Sequence, residues 1–526
     1  MGSEPKHIII VGAGIGGLST AIQLATQGHR VTLLEQQEQV GGKLNQVRMN
    51  GFAFDTGPSL ITMPFVLQDL FRQAQRRLED YLDLVPLDLT CRYFYRDGVV
   101  LNAWRDQQRL AAEFARLNAH DGEAFWRFYH VAERLFQASA DPFLYHSLHG
   151  PMDVLRSFLR YVRQNEAGND PQTVLPEQDS TLGQRLQTML TALSSRTLDQ
   201  QIRNFFVDEH IRQLFDRYAT YNGSSPYQVA AVYSIIPFVE MAWGAWYPRG
   251  GMYQLALALK RLAHELGITI ETSCRVERIL VEHGMARGVV FVDGSVRRCD
   301  LVVANSDVVT THHKLLSPSV QSRRWVQRLA ELEPSCSGFV LLLGMDKQYP
   351  QLAHHSIFFS DNYHAEFDDL FVRKQPIAQP TIYVCATTRT DSSQAPAGAE
   401  NLFILVNAPY LTSASNWQRD GLAYREHILD LLASYQQIDL HDLRQHIICE
   451  SMITPDDFWQ CYGANAGSIY GLSSNQRMAP FTRPGNRARE IRNLYFVGGS
   501  THPGGGVPLV ILSGKIVAEL IAEDLA

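Results

Sequence analysis

Charge is scarce in this 526-residue chain: 19% of its residues are Asp, Glu, Lys or Arg, against roughly 25% in an ordinary soluble protein. The 47 basic residues face 54 acidic ones, a net charge of −7, and no Lys/Arg-rich block occurs. The cationic face that phosphate-backbone binding needs is missing, so no nucleic-acid partner is expected. Cysteine is sparse and unpatterned. The seven cysteines (91, 274, 299, 336, 385, 449 and 461) include no Cys-x-x-Cys pair, which argues against a disulfide framework or a zinc-thiolate site and fits a reducing compartment. Histidine lacks ligand spacing: 312/313 and 354/355 are adjacent pairs whose side chains are expected to point apart, and no metal is expected. No Gly-x-Ser-x-Gly elbow appears, which argues against hydrolysis. No apolar run reaches the roughly 20 residues of a spanning helix; the nearest, Tyr233–Tyr247, is short and carries Glu240. The opening Met1-Gly2-Ser3-Glu4-Pro5-Lys6 leads into a five-residue apolar strand too short for a signal-peptide core, so a cytoplasmic location is expected. The low charge hints at apolar surface. The length exceeds the roughly 250–300 residues of one growing core, which predicts two or more domains.

What is present begins at residue 7. His-Ile-Ile-Ile-Val is a short, mostly β-branched run ending in Gly12-Ala13-Gly14-Ile15-Gly16-Gly17; a helical pattern follows to Gly28, then a strand from Val31 to Leu34 ends on Glu35. Strand, glycine turn, helix, strand and acid is the context that gives Gly-x-Gly-x-x-Gly its meaning. Gly12 permits the tight turn, Gly14 admits a pyrophosphate to the backbone and Gly17 lets the helix pack close. The helix N-terminus presents free N–H groups to phosphate. Glu35 stands where a carboxylate accepts from ribose hydroxyls. FAD and NAD both satisfy this unit alone.

A second glycine segment closes the chain. Gly498, Gly499, Gly504, Gly505 and Gly506 let backbone approach a flat ring, and Val507-Pro508 starts a helix whose N–H groups would point back at it. Glycine sites at opposite ends of one chain suit a long dinucleotide. These motifs, with Gly41-Gly42-Lys43, the stretch Phe54-Asp55-Thr56-Gly57-Pro58-Ser59, Trp246-Tyr247-Pro248-Arg249-Gly250-Gly251-Met252 and His354-His355, resemble the flavin amine-oxidase-like superfamily and, within it, the bacterial phytoene-desaturase type of carotenoid desaturases. The resemblance covers essentially the whole chain. It implies FAD, an acyclic isoprenoid polyene as substrate, hydride removal with loss of a neighbouring proton, and oxygen or a quinone as electron acceptor. On it, Gly12, Gly14, Gly16, Gly17, Glu35, Gly41, Gly42 and Lys43 hold the ADP side, with Gly57 and Pro58; Gly498, Gly499, Gly505, Gly506, Val507 and Pro508 hold the ring side. Relatives of the same family that share these motifs include hydroxyneurosporene-type desaturases, carotenoid isomerases and oxidases of a terminal methyl group. A non-catalytic prenyl-protein carrier of the GDP-dissociation-inhibitor type is a rival that the intact glycine sites and Glu35 oppose.

The predicted architecture is α/β: a Rossmann-type FAD-binding domain, discontinuous in sequence, with an inserted α+β substrate-binding domain of mixed sheet plus helical cap. The nucleotide domain takes residues 1–75, 248–310 and 485–526; 76–247 reads as helix-rich and membrane-associated, and 311–484 as the substrate domain with the sheet. Apolar runs at Phe339–Leu343, Ser356–Phe359, Thr381–Ala386 and Leu402–Val406 are its strands. Asn165–Ser180 reads as a loop. Met152–Arg163 has Leu155, Phe158, Leu159 and Val162 on one helical face and arginines elsewhere, the pattern of a helix lying on an anionic membrane or of a half-buried cap helix. A hydrocarbon substrate favours the membrane, so the protein is expected peripherally on the cytoplasmic membrane. For proton transfer, His354, His355, Glu240, Asp457 and His502 are equal candidates, because geometry comes before pKa. Tyr218, Tyr221, Tyr227, Tyr233, Phe238, Trp243, Trp246 and Tyr247 either line a hydrocarbon tunnel or form core.

Overall fold

The computed structural model describes residues 4–147, 196–476, 479 and 483–526. The stretches Met152–Arg163 and Asn165–Ser180 lie outside the described residues.

Ile8, Ile9 and Ile10 are β-branched, consecutive and fully buried, as a parallel strand covered on both faces requires. His7–Val11 is the centre of a five-stranded parallel sheet in the order Leu494–Phe496, Leu301–Ala304, His7–Val11, Arg30–Leu34 and Thr269–Glu271. Both ends of the chain therefore supply strands to one Rossmann-type sheet. Helix Ile15–Thr26 returns from the first strand and packs against helix Val507–Leu525. They meet at Gly514, where an added β-carbon would lie 2.8 Å from Ser19 Oγ and 2.9 Å from Thr20 N; Ser19 Oγ donates to Ile511 O at 3.1 Å. A separate antiparallel sheet, Val276–Glu282, Met285–Phe291 and Val296–Arg298, turns at Gly284 and again at Asp293-Gly294.

A second large sheet runs Ile447–Ile453, Ser337–Met345, Glu400–Ala408, Ile382–Cys385, His355–Phe358, Leu89–Phe94 and Val100–Trp104. Its last two strands come from the segment expected to be helix-rich. Both faces of Leu89–Phe94 are largely buried, so its apolar residues do not alternate cleanly; the hairpin signal was Asp97-Gly98, where Gly98 takes φ 99°. One face of this sheet, with Phe94, Phe358, Ile382 and Val384, packs with residues of helix Trp417–Ala433. The other carries Cys91, Tyr93 and Ile357 into the largest apolar cluster, shared with the nucleotide sheet and the cap helices Gln107–Leu117, Ala119–Ala140, Glu209–Asp216 and Ile235–Trp243. Among the described residues no helix is long and apolar enough to cross a membrane.

The contact at Gly514 makes a direct prediction. Gly514→Val forces a branched side chain between two packed helices and is expected to cost about 1–3 kcal/mol, read as a lower midpoint of thermal unfolding; wild-type stability would contradict the close crossing.

Candidate active site

In an open parallel sheet, ligands sit beyond the carboxyl ends of the strands. Here the first glycine turn leaves His7–Val11, the closing loop leaves Leu494–Phe496, and Asn305 follows the strand between them, Leu301–Ala304. Asn305 N donates to Val11 O at 2.8 Å, and its Nδ2 donates to Val497 O at 3.0 Å. A β-carbon added to Gly14, Gly16 or Gly498 would lie 2.9 Å from the Asn305 side-chain amide. Glycine is needed at these positions partly because this amide fills the space between the loops. Gly16 in turn approaches Gly498, its added β-carbon falling 3.3 Å from Gly498 Cα. Asn305 escaped the sequence reading because an Asn after an apolar strand has no motif around it.

The remaining predicted cofactor residues gather at this junction. Gly41 N donates to Ala13 O at 2.8 Å, and an added β-carbon on Gly42 would come within 3.3 Å of Gly14 Cα. Glu35 accepts from Ala13 N at 2.8 Å through Oε2 and from Gln37 N at 2.9 Å through Oε1. Burial lifts its pKa above the ordinary value, opposed by these backbone N–H groups. A carboxylate has about four acceptor sites, so ribose hydroxyls can still be accommodated. Gly57 crosses against Lys43 O, which an added β-carbon would approach to 2.0 Å, and Pro58 follows half-buried. Gly499 O accepts from Arg483 Nη1 at 3.0 Å, and Gly505 lies against Tyr470.

Lys43 does something other than expected. Its Nζ donates to Ser468 O at 3.1 Å and Ile469 O at 2.5 Å, and burial depresses its pKa to about 8 despite the Asp307 carboxylate. A buried ammonium takes carbonyl acceptors where they are offered, so Lys43 ties two loops together. The helices Ile15–Thr26 and Val507–Leu525 begin at Gly14 and Gly506, neither of which has a side-chain cap, and Pro508 lies in the first turn of the second. First-turn N–H groups without a cap, at a junction of glycines and beside a ribose-type carboxylate, fit a dinucleotide with its phosphates at one helix and its ring at the other. The residues present fit FAD.

The second sheet offers a different chemistry. His354 and His355 do not point apart: their rings lie 4.4 Å apart. His355 opens strand His355–Phe358 opposite Cys385, while His354 precedes the pleat and turns its ring against Tyr247, 4.6 Å away. One donor atom from each of His354, His355 and Cys385 falls within 4.8 Å of the others. These neighbouring histidines converge in a ligand-like cluster, contrary to expectation, because only His355 of the two lies in the strand. His354 Nδ1 is 2.6 Å from Thr390 Oγ1 and His355 Nδ1 is 2.7 Å from Tyr383 Oη. Tyr383 Oη donates to Ser59 Oγ at 2.6 Å; in that arrangement His355 Nδ1–H donates to Tyr383, and Nε2 keeps its lone pair. Both Nε2 atoms are buried and have no hydrogen-bond partner among the described residues. Burial depresses His354 to about 3 and His355 well below its ordinary range, where His354 and Arg217 add to the effect. Both rings are neutral near pH 7. Ser59 joins this line to Gly57 and the cofactor loops.

The other proton-transfer candidates separate. Asp457 caps helix Pro455–Tyr462, accepting from Thr454 N at 2.7 Å. His502 Nε2 is 3.0 Å from His146 O. Glu240 is buried in the cap, accepting from Tyr218 Oη at 2.6 Å and from Tyr221 Oη. Tyr247 Oη donates to Asp55 Oδ2 at 2.8 Å, Tyr233 Oη donates to Ser474 Oγ at 2.8 Å, and Phe238 packs against Tyr129, Phe136 and Trp243. Tyr227 packs against His364, and Trp246 Nε1 donates to Trp243 O at 2.8 Å.

The profile of the flavin containing amine oxidoreductase family matches residues 15–522. The chain is 37% identical over 525 residues to 4,4'-diapolycopene oxygenase of Methylomonas sp, covering 99% of each. It is 34% identical over 516 residues to 4,4'-diaponeurosporene oxygenase of Staphylococcus aureus (strain MSSA476), covering 98% of each. The same fold occurs in an oxidoreductase from Methanosarcina mazei, with a TM-score of 0.62 and 17% identity over 98% of this chain and 100% of that one. It occurs also in cyclohexylamine oxidase from Brevibacterium oxydans, with a TM-score of 0.58 and 15% identity over 99% of this chain and 100% of that one.

Two measurements check this geometry. Glu35→Gln removes a charge-assisted acceptor at the ribose position and is expected to weaken FAD retention about tenfold or more, read as the ratio of flavin to protein absorbance after purification; full retention would remove Glu35 from the seat. Asp55 is pushed up to about 6 by burial, from 3.8, against hydrogen bonds that lower it. Its contribution to stability is complete below the unfolded pKa and lost as pH rises through about 6, a change of about 3 kcal/mol. Urea midpoints across that window should fall with rising pH in the wild type and stay flatter in Asp55→Asn; identical slopes would contradict the shift.

Proposed function

The chain belongs to the flavin containing amine oxidoreductase family and is an FAD-dependent oxidoreductase, and from that premise we propose that it oxidises the terminal methyl end of an acyclic carotenoid polyene to an oxygenated group. The observation that carries this reading is its end-to-end similarity to the diapolycopene and diaponeurosporene oxygenases. Bound FAD would accept a hydride from the terminal methyl group, one water molecule would supply the hydroxyl that replaces it and release a proton, and oxygen or a quinone would regenerate the flavin. The chain's own residues provide the setting. The two glycine loops hold the dinucleotide, and the apolar faces of the sheet and cap exclude bulk water. Ser59, Tyr383 and His355 give a released proton a hydroxyl–imidazole path beside the cofactor loops. Neutral imidazole with a free Nε2 accepts or relays a proton without adding a buried charge at rest.

Desaturation, in which hydride and proton leave neighbouring carbons and a C=C bond forms, is the second reading, favoured by the closing glycine motif's resemblance to phytoene desaturases. An acyclic polyene resides in the lipid phase, so we place the protein peripherally on the cytoplasmic face of the membrane. Expression with acyclic C30 and C40 polyenes, followed by chromatography and mass analysis, separates the readings. A product that keeps the carbon skeleton and gains oxygen is expected; a product that only loses pairs of hydrogens would replace oxygenation with desaturation.

A further inference from the structure

Arg217 follows helix Glu209–Asp216 in the cap and carries its charge into the apolar junction between cap and sheet. It is 8% exposed and Glu240 4%. Arg217 Nη2 donates to Tyr93 Oη at 2.8 Å, and the rings of Tyr218, Tyr221 and Tyr93 surround the guanidinium at 4.4, 5.2 and 5.4 Å. Arg217 Nε is buried and has no hydrogen-bond partner among the described residues. The closest approach of Arg217 to Glu240 is 4.0 Å, beyond hydrogen-bond distance.

Such a pair needs a reason. Desolvating two ions costs several kcal/mol each, offset only where donors and acceptors are fully matched, and apolar residues of the same volume often pack at least as stably. This pair is not fully matched. A hydrocarbon lying against it supplies no acceptor to Nε–H, whereas an oxygen does. The location is also specific. Tyr93 is paired with Ile357 and Ile357 with Tyr383 across neighbouring strands, and side chains two apart on a strand share a face. Arg217's partner on the sheet therefore lies on the face that carries His355 and Tyr383.

We propose that Arg217 and Glu240, with Tyr218 and Tyr221, form a binding site for an oxygenated end of the polyene, a hydroxyl or a carbonyl. Arg217 Nε–H donates to the ligand oxygen, and a hydroxyl ligand donates in turn to Glu240. The site rests on the proposed function in one respect, that the enzyme meets oxygenated polyenes; it then holds a partly oxidised terminus that a purely apolar pocket would release.

The test uses the FAD-loaded full chain in detergent micelles, titrated with one acyclic polyene, its terminal alcohol and its terminal aldehyde, and followed by the polyene's visible absorption. The wild type is expected to bind the alcohol and aldehyde about tenfold or more tighter than the hydrocarbon, the worth of one charge-assisted hydrogen bond. Arg217→Met should bring that ratio close to one. Tyr221→Phe, which keeps the ring and the ion pair and so protects the test if the first variant fails to fold, should reduce it. Equal wild-type affinities, or variants that weaken all three ligands alike while lowering thermal stability, would make the cluster a structural latch and overturn the site. Product analysis on the same preparations reads the reaction separately: a preference without oxygenated product keeps the site and rejects the function, and oxygenated product without a preference does the reverse.

Discussion

The structure depends on a close contact that only glycine permits. Two loops from opposite ends of a 526-residue chain meet on either side of one asparagine amide, and a single β-carbon on Gly14, Gly16 or Gly498 would fall 2.9 Å from it. That contact requires Leu301–Ala304 to lie between His7–Val11 and Leu494–Phe496 in the sheet. The middle of the chain must consequently leave and return. The second sheet and the cap are what it builds on the way, and the crossing of Ile15–Thr26 with Val507–Leu525 at Gly514 repeats the same steric demand between two helices.

The two halves of the site are made of different materials. The proposed cofactor seat is built largely from backbone: glycine turns, uncapped helix N-termini and loop-to-loop hydrogen bonds, with Glu35 and Asn305 as its principal polar side chains. The face proposed to meet substrate is built from side chains set into apolar surroundings. There, burial keeps His354 and His355 uncharged, while Arg217 is ringed by aromatic faces and phenolic oxygens. Buried polar groups of this kind are costly unless satisfied. Their concentration on one sheet face, opposite the cap, marks where an apolar enzyme interior makes room for polar chemistry.

What could be read before the fold was known follows from range. Gly12 and Glu35 belong to one local strand–helix–strand unit whose periodicity is legible within 30 residues, and the closing segment carries its own helix start in Val507-Pro508. The hairpin at Asp97-Gly98 was legible in principle but sat among buried aromatics that read as helix. The carbonyls of Ser468 and Ile469 that hold Lys43 lie more than 400 residues away along the chain, beyond the reach of any local pattern.

The strand, glycine turn, helix and acid proposed to seat the cofactor were legible in the residues alone, since a glycine turn, a helix start and a strand-ending acid are short-range features set by backbone sterics. The polar groups on the second sheet's inner face come together only through the tertiary fold. His355, Tyr383 and Ser59 meet across three separate segments, and Arg217 meets Tyr93 across the junction of cap and sheet. Neither Tyr383 nor Arg217 stands in a pattern that distinguishes it from core tyrosines or surface arginines. The distinction arises from strand register and burial, which bring distant hydroxyl, imidazole and guanidinium groups to one face and remove the water that would otherwise satisfy them.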